Sequence, residues 1–190
     1  GSSRGIGAAI ARRLAADGAK VVVRAREERD RAGAVAGEIR DAGGCADVVM
    51  GDLAQGETAL DVVRAAFAVH GALDILVCNA GGGIGGMAQT LDVAAIDSTI
   101  ALNLRATVLA ASEFARLTQS DRGRVVFISS GMATHPAPGV SIGAAAKAGA
   151  EAFILCLAKE LGPRGITCNS VARGCARTVL IAGGAAPEPL

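Results

Sequence analysis

The chain has 190 residues and a mass of 18.8 kDa, the size of one domain around a single core. Lys and Arg total 19 against 18 Asp and Glu, a formal net charge of +1, which gives no electrostatic reason to expect nucleic acid or an anionic membrane as partner. Tyr and Trp are both zero and Phe only 4, which excludes a mechanism run by a phenol of this chain and leaves little for stacking on single-stranded bases.

In chain order, Gly1–Gly7 reads G-x-x-x-G-x-G and opens a helix whose apolar positions Ile6, Ile10 and Leu14 recur at i, i+4 and i+8. Lys20–Arg24 (KVVVR) and Cys45–Met50 are short, nearly continuous apolar runs, the pattern of strands covered on both faces. Leu60, Val63 and Phe67 mark a further helix, closed by His70-Gly71 ahead of the strand Leu73–Cys78 (LDILVC). Arg124–Ser129 (RVVFIS) is the next strand. Phe153, Ile154, Leu157 and Leu161 stripe a helix that stops at Gly162-Pro163, and Gly165–Val171 forms the last strand. Helix and strand alternate throughout, which requires right-handed crossovers and a parallel sheet, an α/β doubly wound domain over residues 1–180 with an irregular tail at 181–190.

The five cysteines are odd in number, and none forms a C-x-x-C pair. Three lie in apolar runs, where a Cys behaves as a small buried hydrophobe. His70 and His135 have no Cys, Asp or Glu at ligand spacing, so no metal site is expected. No apolar run reaches the roughly 18 residues of a membrane span; Lys147 and Lys159 bracket the longest, residues 148–158. No secretory leader is recognised, and reduced thiols fit a soluble, cytoplasmic protein.

Glycines in the opening turn let backbone N–H groups approach a pyrophosphate, and the helix N-terminus behind them carries about half a positive charge. Taken with Asn79-Ala80-Gly81 after LDILVC, Asn103 in ALNL, Ser129-Ser130 after RVVFI and the run AKELGPRGITCNSVA, this chain resembles the short-chain dehydrogenase/reductase family from residue 1 to about 178. The resemblance implies a Rossmann-type sheet and hydride transfer between a nicotinamide cofactor and a small carbonyl or secondary alcohol. Gly1, however, enters a turn and helix directly. A central first strand is missing ahead of it, so its neighbours are expected to keep unpaired edges, as in an incomplete copy of a longer chain.

By the same resemblance, the cofactor is held by Gly1, Ser3, Arg4, Gly5, Ile6 and Gly7, by Asn79, Ala80 and Gly81, by Lys147, and by Thr178 four residues after Gly174. Where NAD-preferring members carry an acid at the end of the second strand, this chain has Ala25 between Arg24 and Arg26. Guanidinium groups there suit a 2′-phosphate, so NADP(H) is expected, with NAD(H) the alternative; RAREERDR also reads as a solvated charge cluster. Asp52 and Leu53 match the family's adenine contact, though Asp52 equally caps a turn.

The catalytic set implied is Asn103, Ser130 and Lys147, with a Tyr four residues before Lys147. That position is Gly143, and the Pro that usually precedes Gly174 is Arg173. The family pairs into oligomers through two helices, here about residues 92–118 and 142–162. Three outcomes stay open: a weakened NADP(H)-dependent oxidoreductase, a cofactor-binding pseudoenzyme that acts through oligomer partners, and a truncated gene product.

Overall fold

A computed structural model describes residues 1–83 and 85–174. Thr178 and the tail at 181–190 lie outside the described residues. Helices and strands alternate: α1 (Gly5–Ala16), β1 (Lys20–Ala25), α2 (Arg29–Asp41), β2 (Cys45–Met50), α3 (Thr58–His70) and β3 (Ile75–Cys78). A continuous helical stretch follows, α4 (Val93–Ile100), a π turn at Ala101–Arg105 and α5 (Ala106–Leu117). β4 (Arg124–Ser130), α6 (Ser141–Leu161) and β5 (Thr167–Arg173) close the described fold.

Several boundaries differ from the sequence expectation: β1 runs on to Ala25, β4 to Ser130 and β5 to Arg173, and the starts of β3 and β5 each move in by two residues. Gly162 keeps a helical φ of −52°, and the chain turns instead at Gly165, whose φ of +74° closes a 3-10 turn. The last strand therefore starts two residues late, at Thr167. The third strand begins at Ile75, which pairs with Arg124; the backbone carbonyl of Asp74 accepts from the Arg124 N–H at 2.8 Å as the first rung.

Among the described residues every strand pair is parallel, and the five strands form two sheets, β1-β2 and β3-β4-β5. The unpaired edges of β1 and β3 line one cleft of about 530 Å³, bordered by Val21, Val22, Ile75 and Val77 and by Ile10 and Leu14 of α1. That cleft explains the burial along α1. Ala8, Ala11 and Ala15 pack onto β1, whereas Ile6, Ile10 and Leu14, the residues that mark the helix in the sequence, are only half-buried. The expectation of an α/β fold built on parallel strands matches this arrangement.

The larger core lies under β3-β4-β5, where Phe114, Phe127, Val125, Ile154 and Ile166 are all but inaccessible. Burial of each such side chain contributes about 1.5–3 kcal/mol. Val93–Leu117 and Ser141–Arg164 are long and apolar enough to cross a membrane by length and composition, although Lys147 and Lys159 interrupt the second. Both instead supply the core, through Phe114 and Ile154. Cys156, in an apolar run, is exposed rather than buried, as is its neighbour Leu155.

Candidate active site

The opening turn is built around close backbone approaches. Gly5 has φ +54°, and Arg4, at the N-cap of α1, makes no side-chain capping bond. No acidic residue sits in the first turn, which leaves its positive end without a side-chain counter-charge. A Cβ on Gly7 would collide with the Gly1 carbonyl and come within 2.6 Å of Asn79 Nδ2. Asn79, just past β3, donates from Nδ2 to the Gly1 carbonyl at 2.6 Å and so ties the two segments together. On Gly81 a Cβ would lie 3.0 Å from Asn103 Oδ1 and 3.2 Å from Lys147 Nζ. Glycine at these points keeps open a cradle that any side chain would fill, and the residues present fit a dinucleotide.

At one end of this cleft, of about 780 Å³, stand three arginines. Arg4 pairs with Glu28 at 3.6 Å and Arg26 with Glu27 at 3.0 Å, both exposed and weakly held. Arg24 turns inward at the end of β1 and donates to the Gly51 carbonyl, while its Nε is buried with no partner. Burial pulls its pKa below the ordinary arginine value, Asp52 opposes this, and Arg26 adds to it. Asp52 Oδ1 accepts from the Ala54 N–H at 3.0 Å, so it caps a turn while also lining the cleft.

Of the residues assigned to the cofactor by resemblance, Gly1, Ser3, Arg4, Gly5, Ile6, Arg24, Arg26, Asp52, Asn79, Ala80, Gly81 and Lys147 share this cleft. Gly7 and Leu53 do not. Gly7 is packed beneath the turn, and Leu53 faces the gap between the two sheets.

Asn103, Ser130 and Lys147 line the opposite end. Asn103 sits in the π turn, 4% exposed, and gives both ends of its amide to backbone. Oδ1 accepts from Gly82 N–H at 3.2 Å, and Nδ2 donates to the Gly82 carbonyl and to Thr99 O at 2.9 Å. It acts as a clamp on the Gly81–Gly82 backbone. Ser130 ends β4, its Oγ accepting from Met132 N–H at 3.4 Å. Lys147 donates from Nζ to the Ile128 carbonyl at 2.9 Å and lies 4.6 Å from the centre of the Phe127 ring. Its pKa is pushed down to about 8, first by burial and then by Arg173, against Cys78 and Glu151. An ammonium with that pKa suits proton transfer near neutrality. Nearby, Gly143 leaves open space: a Cβ there would meet only Met132 Sδ, at 3.6 Å.

Three features escape sequence spacing. Arg173 lines the Lys147 end of the cleft because β4 and β5 pair it with Ser130. The hydroxyls of Thr99 and Ser129 are buried with no hydrogen-bond partner. His70 is not isolated from ligand-type groups: Asp47 Oδ2 is 3.7 Å from its Nε2, and Cys45, two residues before Asp47 on β2, lies in the same cluster. Neighbouring strand and helix supply these groups, so their separation along the chain hides them.

A glycine turn feeding a helix at the carboxyl ends of parallel strands, with a buried lysine across the cleft, defines a dinucleotide-type α/β oxidoreductase site. Residues 1–186 match the family model described as short chain dehydrogenase, and the chain belongs to that family. It is 39% identical over 175 residues to a cyclic-di-GMP-binding biofilm dispersal mediator protein of Escherichia coli, covering 92% of this chain and 70% of that one. It is 35% identical to a 3-oxoacyl-[acyl-carrier-protein] reductase of Synechocystis, over 92% of this chain and 71% of that one. A crystal structure of a short chain dehydrogenase from Burkholderia cenocepacia in complex with NADP superposes with a TM-score of 0.92 at 41% identity, covering 97% of this chain and 76% of that one.

Proposed function

We propose that this soluble, cytoplasmic chain binds NADP(H), with NAD(H) a weaker ligand, and acts on a small carbonyl or secondary alcohol at a strongly reduced rate. The observation that carries the reading is the shared cleft: glycine cradle, arginine end and Lys147 all open onto one space. Bound nicotinamide supplies the hydride. Asn79 and Asn103 hold the backbone of the cradle, and Arg24, with its unpartnered Nε, meets the 2′-phosphate. The similarity to an NADP-bound dehydrogenase supports the same choice. Ser130 orients the substrate oxygen. Lys147 uses one of its three donors on Ile128 O, leaving two for ribose and for a water in the space over Gly143, which passes on the proton.

Calorimetric titration is expected to show NADPH binding more tightly than NADH. Arg24→Ala narrows that gap by about tenfold, the worth of one charged hydrogen-bonding contact. Absence of heat with either dinucleotide refutes the reading. A second reading, a cofactor-binding protein without turnover, is favoured by Gly143, since the catalytic end then holds no phenol. NADPH binding without carbonyl-dependent oxidation separates the two.

Self-association is part of the proposal. α6 exposes Leu155 at 63%, beside Cys156, and Val93 at the start of α4 is 73% exposed. Light scattering at micromolar concentration is expected to report a dimer or larger; a monomer removes this part of the reading.

A further inference from the structure

We propose that the catalytic end of the cleft is specific for a substrate carrying a carboxylate, which sits against Arg173 beside the open space over Gly143, with Lys147 across from it. The inference rests on the cleft being the substrate site described above. Its own evidence is the charge and shape of that end.

Gly143 and Lys147 are four residues apart on α6, so they share one face of the helix. Arg173 reaches the same space from the other side, because the parallel register of β4 and β5 sets it beside Ser130 and on the same sheet face. Two cations and a hydroxyl thus border a void where the helix contributes only hydrogen. The acids that line the cleft, Glu27, Glu28 and Asp52, stand at its arginine end with Arg4, Arg24 and Arg26. Among the described residues, none lines the Lys147 end. Glu151 lies a further turn along α6 and raises the Lys147 pKa, but it does not border the cleft. Cations crowded together with no acid between them are an unfavourable arrangement that an anionic ligand relieves. A carboxylate meets the Arg173 guanidinium through two parallel N–H donors and gains the attraction of the Lys147 ammonium across the cleft, which makes it a better fit than a neutral carbonyl substituent. On the apolar side, Met132 and Val140 border the same end and receive the carbon skeleton. An oxo acid satisfies both halves.

The test compares acetoacetate with methyl acetoacetate, the same ketone with its charge removed, by calorimetric titration of the full chain with and without saturating NADP⁺. The acid is expected to bind about tenfold tighter than the ester, as a charged hydrogen-bonding pair predicts. Added salt narrows the gap. Arg173→Met abolishes the preference, and Arg173→Lys restores part of it, an outcome that simple misfolding does not produce. Equal binding of acid and ester, binding of neither, or an unchanged preference in Arg173→Met each overturns the inference. Titration of NADPH in the same samples tests the cofactor reading separately, so failure of one is not mistaken for failure of the other.

Discussion

Gly143→Tyr is expected to raise NADPH-dependent reduction of a neutral ketone by about 10²–10⁴, the typical contribution of a positioned proton-transfer group. That corresponds to about 3–5 kcal/mol of barrier. The geometry admits the side chain. A Cβ at this position makes only an ordinary contact, 3.6 Å to Met132 Sδ, and the backbone is helical, where tyrosine has a better propensity than glycine. From position 143 the ring extends along the face that carries Lys147 and reaches the region of Ser130, so its hydroxyl gains an ammonium neighbour that lowers its pKa. The same ring narrows the approach to Arg173 from α6, so the variant is also expected to lose its preference for an oxo acid over the ester. Steady-state NADPH oxidation measures the first effect. An unchanged rate, in a variant that still binds NADPH, means that the defect extends past this residue, with Arg173 the next group to replace.

Much of this site is legible along the chain because each part obeys a local rule. The opening glycines announce a tight turn; Asn79, Ser130 and Lys147 follow strands or lie on a helix face at spacings that survive folding. Gly143 is visible for the same reason, by counting back from Lys147. What sequence does not display is contact made by topology. Arg173 reads as a mere irregularity ahead of Gly174 until β5 pairs with β4 and brings it beside Ser130. Cys45, Asp47 and His70 come from a strand and a helix end with no fixed spacing between them. Burial is equally hidden. Ile6, Ile10 and Leu14 mark α1 correctly, yet Ile10 and Leu14 border the cleft between the sheets and Ile6 the dinucleotide cleft, while Ala8, Ala11 and Ala15 make the core contacts. An apolar stripe reports which face turns inward, not whether anything fills the space it meets.

Lys147→Met is expected to stabilise the cofactor-free protein at pH 7 by about 2 kcal/mol while abolishing turnover. Lysine in an unfolded chain titrates near 10.5, and here the folded state brings it to about 8. Below pH 8 both states hold the proton, and the penalty for burying a cation is fully present. Between about 8 and 10.5 the unfolded chain binds more protons than the folded one, so stability rises with pH; above 10.5 both forms are neutral and the penalty is gone. The span between the two values corresponds to about 3 kcal/mol. Against it stands the hydrogen bond to the Ile128 carbonyl, which the methionine cannot make and whose loss costs about 1 kcal/mol. The thioether keeps its packing against Phe127. Urea unfolding across pH 7 to 11 measures this directly: the parent gains stability through the window, the variant stays level, and the two curves cross, the parent ending about 1 kcal/mol above the variant. Parallel curves would place the folded-state pKa of Lys147 near its ordinary value, and with it would go the proposal that this ammonium feeds a proton to the space over Gly143. If the curves do cross, reductase activity in the parent should fall as pH passes about 8, because the protonated form needed for catalysis is the one that folding disfavours.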